Sequence, residues 1–587
     1  MSTICINRKD NVWYPEKNSL FRPHIAYPEY QYKTISVEQN DVYEMVRECF
    51  HMLEMDDDNY GTCEWNPLKE IVKEGDTVLL KPNMVLDKNR SNCGEECLYT
   101  NPSVVAAIID YVVIALKNTG RIIIGDAPLQ ECDFEKLVDD SGYLDLINFY
   151  HENGVNIDLV DFRNTKTFEK NGLHYLREDK GHNGIIVKLG EYSTFSGMSD
   201  ERLKNLRITN YDPRILQKHH NMNCHEYMVA NQILEADVIF NLPKPKTHRK
   251  AGVTIALKNL VGINANKEFL PHHTLGSKEE GGDAYLFNSN YLKQANMVLD
   301  IRNELVNDED MESARLAEKL YETLLKKGQE SVDRHYWEGS WYGNDTIWRT
   351  IVDLNRILRY ADKKGVIKTT PQRKIFIVGD MIVSGQKEGP LMPVPKDAGI
   401  IAMSNNPVQF DRVICSLMGF NYRDIPSLYN EELSNPTFNL LEDNEYRIIS
   451  NNEEWNNKTC EEIEKYYSLE FEPTMGWIEK LGNKYREKII KKLKDNRDEV
   501  YIFGAGVNGK YALGVLQQEG ITVVGFMDNN EDLWGKEIVD GLKCINPNTM
   551  NASSKVIIGM RDEYVDSVSN QIELLGGKYI GTINRGD

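Results

Sequence analysis

Between Lys244 and Lys258 the sequence sets Lys244, Lys246, His248, Arg249, Lys250 and Lys258, and no acidic residue occurs from Val238 to Lys267. The whole chain carries 69 Lys and Arg against 90 Asp and Glu, a formal net charge of −21, so this basic island runs against its background. Lysine offers a point charge to phosphate or carboxylate, and burial lowers its pKa toward acid–base work. Pro243 and Pro245 hold Lys244 and Lys246 in extended backbone, and alternation directs both lysines to one side. His248 is the candidate general acid or base, because histidine alone titrates near neutrality unperturbed. The alternative is a hydrogen-bonding spacer in a basic loop.

Other residues extend the set. Lys81, Asn83 and Asn259 join Lys244 and Lys246 as candidate substrate-binding groups, and Asp126 and Lys258 join His248 as candidate catalytic groups. His272 and Asp283, in PHHTLGSKEEGGD, are candidate ligands for a divalent metal, with a plain surface loop as the alternative. Asn344 and Asp345 stand among Trp341, Tyr342 and Trp348. That mixture suits sugar stacking and hydroxyl recognition, or equally a packed core. Arg349 is a candidate bidentate clamp. Asp411 either orients a lysine or begins a helix.

Four apolar runs must position these groups: DTVLLKPN (76–83), GRIIIGDAP (120–128), ADVIFNLPKPK (236–246) and KIFIVGD (374–380). Short β-branched runs bounded by Gly and Pro predict buried strands. A helical pattern over Pro102–Lys117 lies between two of them, which predicts an α/β fold with a mainly parallel sheet. Such sheets bind ligands at the carboxyl ends of their strands. Those ends here carry Lys81, Asn83, Asp126, Lys244, Lys246 and Asp380.

At 587 residues the chain exceeds one typical core. The expected organisation is a main α/β domain over 1–454 with a helical insertion at about 285–370, a charged helical linker over 455–498, and a small domain over 499–587. The negative charge disfavours nucleic acid as a partner. No run of about 18 apolar residues predicts a membrane span, and the first residues lack a signal-peptide pattern. Ten cysteines occur without a CxxC pair or a closely spaced set of four, so an iron–sulfur cluster is not expected and a reduced, cytoplasmic protein is.

In EVYIFGAGVNGKYALGVLQQ, Gly504, Gly506 and Gly509 have GxGxxG spacing between a strand and a helix pattern, and Asp528 ends the next strand. Glycines let backbone approach a phosphate at a helix N-terminus, and a carboxylate accepts from ribose hydroxyls. The segment has the size of one mononucleotide-binding half. It resembles the small Rossmann-like module joined to sugar acetyltransferases, glycosyltransferases and sugar methyltransferases, which implies a nucleotide or nucleotide-sugar as the bound group. A vestigial, empty fold is the alternative.

From about residue 70 to 430 the same motifs resemble, in order, the domain-of-unknown-function 362 family: DTVLLKPN, TNPSVVAAIIDYV, GDAP, KPKTH through KNLVG, and EGPLMPVPKDAGIIAMSNNPVQFDRVICSLMGF. PHHTLGSKEEGGD and GSWYGNDTIWRTIVDLNRI resemble features of a long-insert subgroup often found among surface-polysaccharide genes. The resemblance implies a fold and no mechanism. Many relatives carry a ferredoxin-like cysteine module that this chain lacks. The expected function is an enzyme of surface-polysaccharide biosynthesis acting on an anionic, phosphorylated or nucleotide-linked sugar, with enzymes of glycan assembly as partners. The alternatives are a noncatalytic carrier of such a ligand and, third, a redox protein of iron–sulfur-associated type.

Overall fold

The computed structural model describes every residue except 171–172, 179–183, 333–336, 497–498, 540 and 584–587. The chain forms two compact units, one of Met1–Val332 with Tyr336–Phe471 and one built on Glu472–Asp587.

The first unit is α/β. Its sheet has ten strands: β1 (Ser2–Arg8), β2 (Thr77–Pro82), β3 (Arg121–Asp126), β4 (Ile157–Asp161), β5 (Val238–Leu242), β6 (Lys246–His248), β7 (Gly252–Thr254), β8 (Lys374–Glu388), β9 (Met392–Ser404) and β10 (Tyr446–Ser450). The order along the sheet is β10-β1-β9-β8-β5-β2-β3-β4, with β6 pairing β7 and the far end of β8. From β8 through β4 all neighbours are parallel, whereas β9 runs antiparallel to both β8 and β1. The sheet is therefore mixed and mostly parallel.

The four apolar runs form its centre because both faces are covered. Val78, Leu80, Ile122, Ile124, Val238, Phe240, Phe376 and Val378 meet helices α1 (Asp41–Met52) and α2 (Pro102–Leu116) in one core. The alternate residues Leu79, Ile123, Ile239 and Ile377 are also buried, which is why these strands read as continuous apolar runs. α2 starts at Asn101, whose side chain accepts from Ser103 N, with Pro102 in the first turn, and ends at Lys117 in the left-handed region (φ 50°).

The helical insertion consists of α3 (Asn290–Asn307), α4 (Met311–Val332) and α5 (Ile347–Tyr360). The last helix of this unit that bears on the site is α6 (Pro407–Met418), which starts at Asn406.

The expected linker divides between the units. Trp455, Cys460, Ile463 and Phe471 are buried in the first, whereas Ile489, Ile490 and Leu493 of the helix Asn483–Asp495 enter the core of the second. Apolar residues at helical spacing, partly hidden among the charges, decide this.

The second unit has its own sheet: β11 (Val500–Phe503), β12 (Val523–Met527), β13 (Glu537–Val539), β14 (Leu542–Ile545), β15 (Lys555–Ile558) and β16 (Lys578–Thr582). The order is β13-β14-β12-β11-β15-β16, parallel except for the short β13–β14 pair. α7 (Val507–Gln518) follows β11 directly after the glycine loop. Among the described residues no helix is long and apolar enough to cross a membrane.

Candidate functional site

The ends of β2 and β3, the turn after β6 and the segment before α3 enclose a cavity of about 420 Å³ in the first unit. Such a volume lies within the roughly 300–1,000 Å³ of small-molecule sites. Its wall includes Asn83, Asp126, His248, Arg249, Lys250, Lys258, Lys267, Glu268 and His272, with Met84, Leu129, Ile208, Tyr211, Val261 and Leu270 as apolar surface.

Lys258 is one of the lining residues. It lies on the short turn Ala256–Asn259, which is held from several sides. Asp411, inside α6, accepts from Ala256 N (2.8 Å) and Leu257 N (2.9 Å). Asn355 of α5 donates to Leu257 O at 3.0 Å, and Asn241 of β5 donates to Ala256 O at 2.9 Å. The turn is fixed, yet the Lys258 ammonium has no hydrogen-bond or ion-pair partner among the described residues. Burial pushes its pKa down to about 8, Lys81 adds repulsion and Asp126 opposes.

Asp126 cannot serve as its counter-charge directly. Its carboxylate lies 2.7 Å from Lys81 Nζ and accepts from Met84 N (2.6 Å) and Ala127 N (2.8 Å). The pair passes against Gly262, where a Cβ would come within 1.9 Å of Asp126 Oδ1 and 2.8 Å of Lys81 Nζ. This is the physical reason for glycine at the end of KNLVG.

The two lysines that drew most weight in the sequence are not on the cavity wall. Lys244 Nζ lies 2.7 Å from Asp380 Oδ2 and donates to Tyr14 Oη (2.6 Å) and Val383 O (3.0 Å), while Tyr14 donates to Asp380 Oδ1 at 2.6 Å. Lys246 donates to Asn83 Oδ1 (2.6 Å) and to Leu98 O. Asn83 donates in turn to Asn259 Oδ1 (3.0 Å), and Asn259 to Asn241 Oδ1 (2.8 Å) and Lys81 O (3.2 Å). Lys81, Lys244 and Lys246 are thus a buried polar layer that shapes the site. Asn83 and Asn259 reach the wall with their amides already engaged. Burial lowers the pKa of Lys81 and of Lys244, each opposed by its carboxylate, and takes Lys246 down to about 7.

His248 reaches the cavity, in a fixed form. Its Nδ1 accepts from Lys250 N and Ala251 N, both at 3.1 Å, so the proton of the neutral ring sits on Nε2. Burial holds its pKa well below the usual range, with Lys258, Arg249, His272 and Lys250 adding repulsion. The ring is a hydrogen-bond donor to the cavity rather than a proton carrier at neutral pH. His272 is its complement: Nδ1 lies 2.6 Å from Leu270 O and donates to it, leaving the Nε2 lone pair free, and burial again pushes its pKa well down.

The metal expected on His272 and Asp283 does not fit. Asp283 is absent from the cavity wall and accepts from Thr274 N (2.5 Å), Asp345 N (2.9 Å) and Thr346 Oγ1 (2.6 Å). Among the described residues no group of three or more His, Cys, Asp and Glu side chains could hold a metal ion.

Asn344, Asp345 and Arg349 also lie away from the cavity wall. Asn344 accepts from Thr346 N and Ile347 N at the start of α5 (both 2.9 Å) and donates to His272 O (3.0 Å) and Gly339 O (2.9 Å). Asp345 receives Arg202, Arg349 (3.2 Å) and Trp348 Nε1 (2.8 Å). Trp341 is fully buried and donates to Asp283 O. These aromatics and amides hold the insertion together; the packed-core alternative describes them.

Four charged wall residues lie beside the candidates without having been singled out as site residues. Arg249 and Lys250 stood inside the basic stretch. Lys267 closes the acid-free run and Glu268 is the next residue. Lys250 lies 3.9 Å from Glu338 Oε2, and burial lowers it to about 8. Lys267 donates to Ala127 O (2.7 Å), and burial lowers it to about 7. Glu268 makes no ion pair among the described residues; burial raises its carboxyl to about 7, and Asp212 adds repulsion.

In the second unit the glycine loop is tightly made. Gly504 has φ +104°, and a Cβ at Gly509 would lie 1.9 Å from Gly504 O, whereas one at Gly506 would meet nothing within 4 Å. Asp528 accepts from Ala505 N (2.9 Å) and Asn530 N (2.9 Å), so each of its carboxylate oxygens helps to close the loop.

The fold and the cavity define an α/β protein with a partly enclosed cavity rich in basic side chains. The profile of the family described as Domain of unknown function (DUF362) matches residues 78–416, more than half of the chain, and the protein belongs to that family. A thylakoid-associated protein of Synechocystis sp. (strain ATCC 27184 / PCC 6803 / Kazusa) is 28% identical over 227 residues, 39% of this chain. The chain thus spans about half the length (50%) of that relative. A crystal structure of RSP, a Rex-family repressor, aligns with 20% of this chain and 56% of its own at 14% identity, with a TM-score of 0.13, too slight to bear on fold or function.

Proposed function

We propose that the protein is an enzyme of surface-polysaccharide biosynthesis that takes a phosphorylated or nucleotide-linked sugar into the cavity beside Lys258. The unpaired Lys258 ammonium on a preorganised turn carries this reading. An ammonium kept without a counter-ion in a partly enclosed site is a place for an anion from solution. Lys250, Arg249 and Lys267 reinforce the positive potential, and His248 Nε2–H and His272 Nε2 offer one donor and one acceptor to hydroxyl groups. The apolar surface of Leu129, Val261 and Leu270 suits the face of a sugar ring. The placement in polysaccharide biosynthesis rests on the sequence resemblance of the long insertion. The C-terminal unit is read as a Rossmann-like module that holds a nucleotide portion at the start of α7, with Gly506 as the open position of the loop.

A noncatalytic carrier of the same ligand is the second reading, favoured by the fixed neutral tautomer of His248. Thermal unfolding of the full chain against glucose 1-phosphate, glucose 6-phosphate, UDP and UDP-glucose tests both. A ligand-dependent rise in Tm that Lys258→Met abolishes is expected. No rise with any of the four overturns the anion reading. Phosphorus NMR of the bound ligand then separates turnover from carriage.

A further inference from the structure

We propose that Lys258 is a nucleophilic amine that forms a Schiff base with an aldehyde-bearing anionic ligand held in the cavity. The inference rests on the reading of the cavity as an anion site and adds a covalent step to it.

Three structural relationships carry the argument. The first is the missing partner: every other lysine in the polar layer beside the cavity donates to a carboxylate, a carbonyl or an amide, and Lys258 alone among these donates to nothing described. An amine with no hydrogen bond to break is free to attack. The second is rigidity. Asp411, Asn355 and Asn241 fix the turn on both sides of Lys258, so the amine is presented at one place on the wall. The third is company. Lys81 is committed to Asp126 at 2.7 Å, yet it and Lys250 still disfavour a further positive charge on Lys258. At pH 7 an amine of pKa about 8 is about one-tenth neutral.

The step balances without any further reagent. The neutral amine attacks the aldehyde carbon and forms the C–N bond as the C=O π bond breaks, and one amine proton passes to the carbonyl oxygen. The resulting carbinolamine loses that oxygen as water, the nitrogen gives up its proton, and the imine remains. Glu268, on the same cavity wall and without an ion pair among the described residues, carries protons to and from the oxygen, while Arg249, Lys250 and Lys267 face the anionic group. His248 Nε2–H is a fixed donor for the carbonyl oxygen.

Pyridoxal 5′-phosphate is a suitable probe, because it joins an aldehyde to a phosphate. The full chain is incubated with a small excess of it, reduced with borohydride and mapped by peptide mass spectrometry. Selective labelling of Lys258, at least tenfold faster than any other lysine, with a rate that rises with pH through about 8, is the expected result. Lys258→Arg, which keeps the charge, removes the fast phase. Labelling spread over many lysines with Lys258 no faster than the rest overturns the proposal. Protection by glucose 6-phosphate or UDP-glucose separates the two readings. Fast labelling of Lys258 that neither ligand slows supports the nucleophile and removes the sugar reading. A rise in Tm with either ligand but no fast labelling does the reverse.

Discussion

Lys81 Nζ sits 2.7 Å from Asp126 Oδ1, both side chains out of solvent, and that pairing leaves Lys258 without a counter-charge. The carboxylate nearest in character to a partner for Lys258 is already shared between Lys81 and two backbone amides. The positive charge available at Lys258 therefore depends on how this one acid is committed.

Gly262→Ala should break this pairing, because its Cβ would overlap Asp126 Oδ1. The expected loss is about 2–4 kcal/mol, typical of disrupting a buried ion pair. Urea denaturation measures it, and an unchanged midpoint would contradict the geometry.

Lys244 and Lys258 should respond oppositely to substitution. Lys244→Met strands Asp380 and Tyr14 in the interior and should cost about 3–5 kcal/mol. Lys258→Met removes an amine with no described partner, so stability should hold within about 1 kcal/mol or rise. Ligand-induced stabilisation should vanish only in the Lys258 variant that stays folded. Equal destabilisation by the two substitutions would count against the assignment.

Asp411→Ala should loosen the turn that carries Lys258. Two buried amides lose their acceptor, at about 1–3 kcal/mol each. Asp411→Asn, which keeps one acceptor oxygen, should recover part of that. The rise in Tm given by an anionic ligand should shrink in the same order, and an unaffected ligand response would show that Asp411 is not a positioning residue.

Glu268 gives the first unit a pH dependence. The folded carboxyl has a pKa of about 7, against an ordinary value of 4.5. As pH rises from about 4.5 to about 7, the unfolded chain releases a proton that the folded chain retains, so folded stability falls across that window. The group is partly exposed, and about 1–2 kcal/mol is a realistic size after screening. Glu268→Gln should flatten the fall in Tm between pH 4.5 and 7.5; parallel curves for variant and wild type would refute it.

The C-terminal loop should tolerate change at one glycine and not at another. Gly509→Ala drives a Cβ into Gly504 O and should cost the second unit at least about 2 kcal/mol. Gly506→Ala meets open space at an ordinary backbone angle and should stay within about 1 kcal/mol. Calorimetry of the full chain reads both, and equal effects would mean the loop is not closed as described.

The sequence by itself determined the sheet. DTVLLKPN, GRIIIGDAP, ADVIFNLPKPK and KIFIVGD are strands because continuous β-branched runs ending in Pro or Gly have few other places to go. It also pointed to the strand ends, where the cavity lies, because open α/β sheets leave a crevice there whatever their side chains. What it could not give is which cations face the ligand. In KPKTHRK, Lys244 and Lys246 are both buried, where Asp380 arrives from β8 and Asn83 from the residue after β2. Partners contributed from strands more than a hundred residues away are invisible to local spacing. Local spacing likewise left WYGND open between a sugar platform and a packed core, and the contacts of Asp345 with Asp283 and Arg202 and of Asn344 with His272 O come from distant segments. The sequence supplied the chemical groups. Only the tertiary structure decided which were neutralised, because a charge in a protein is defined by the partner that reaches it.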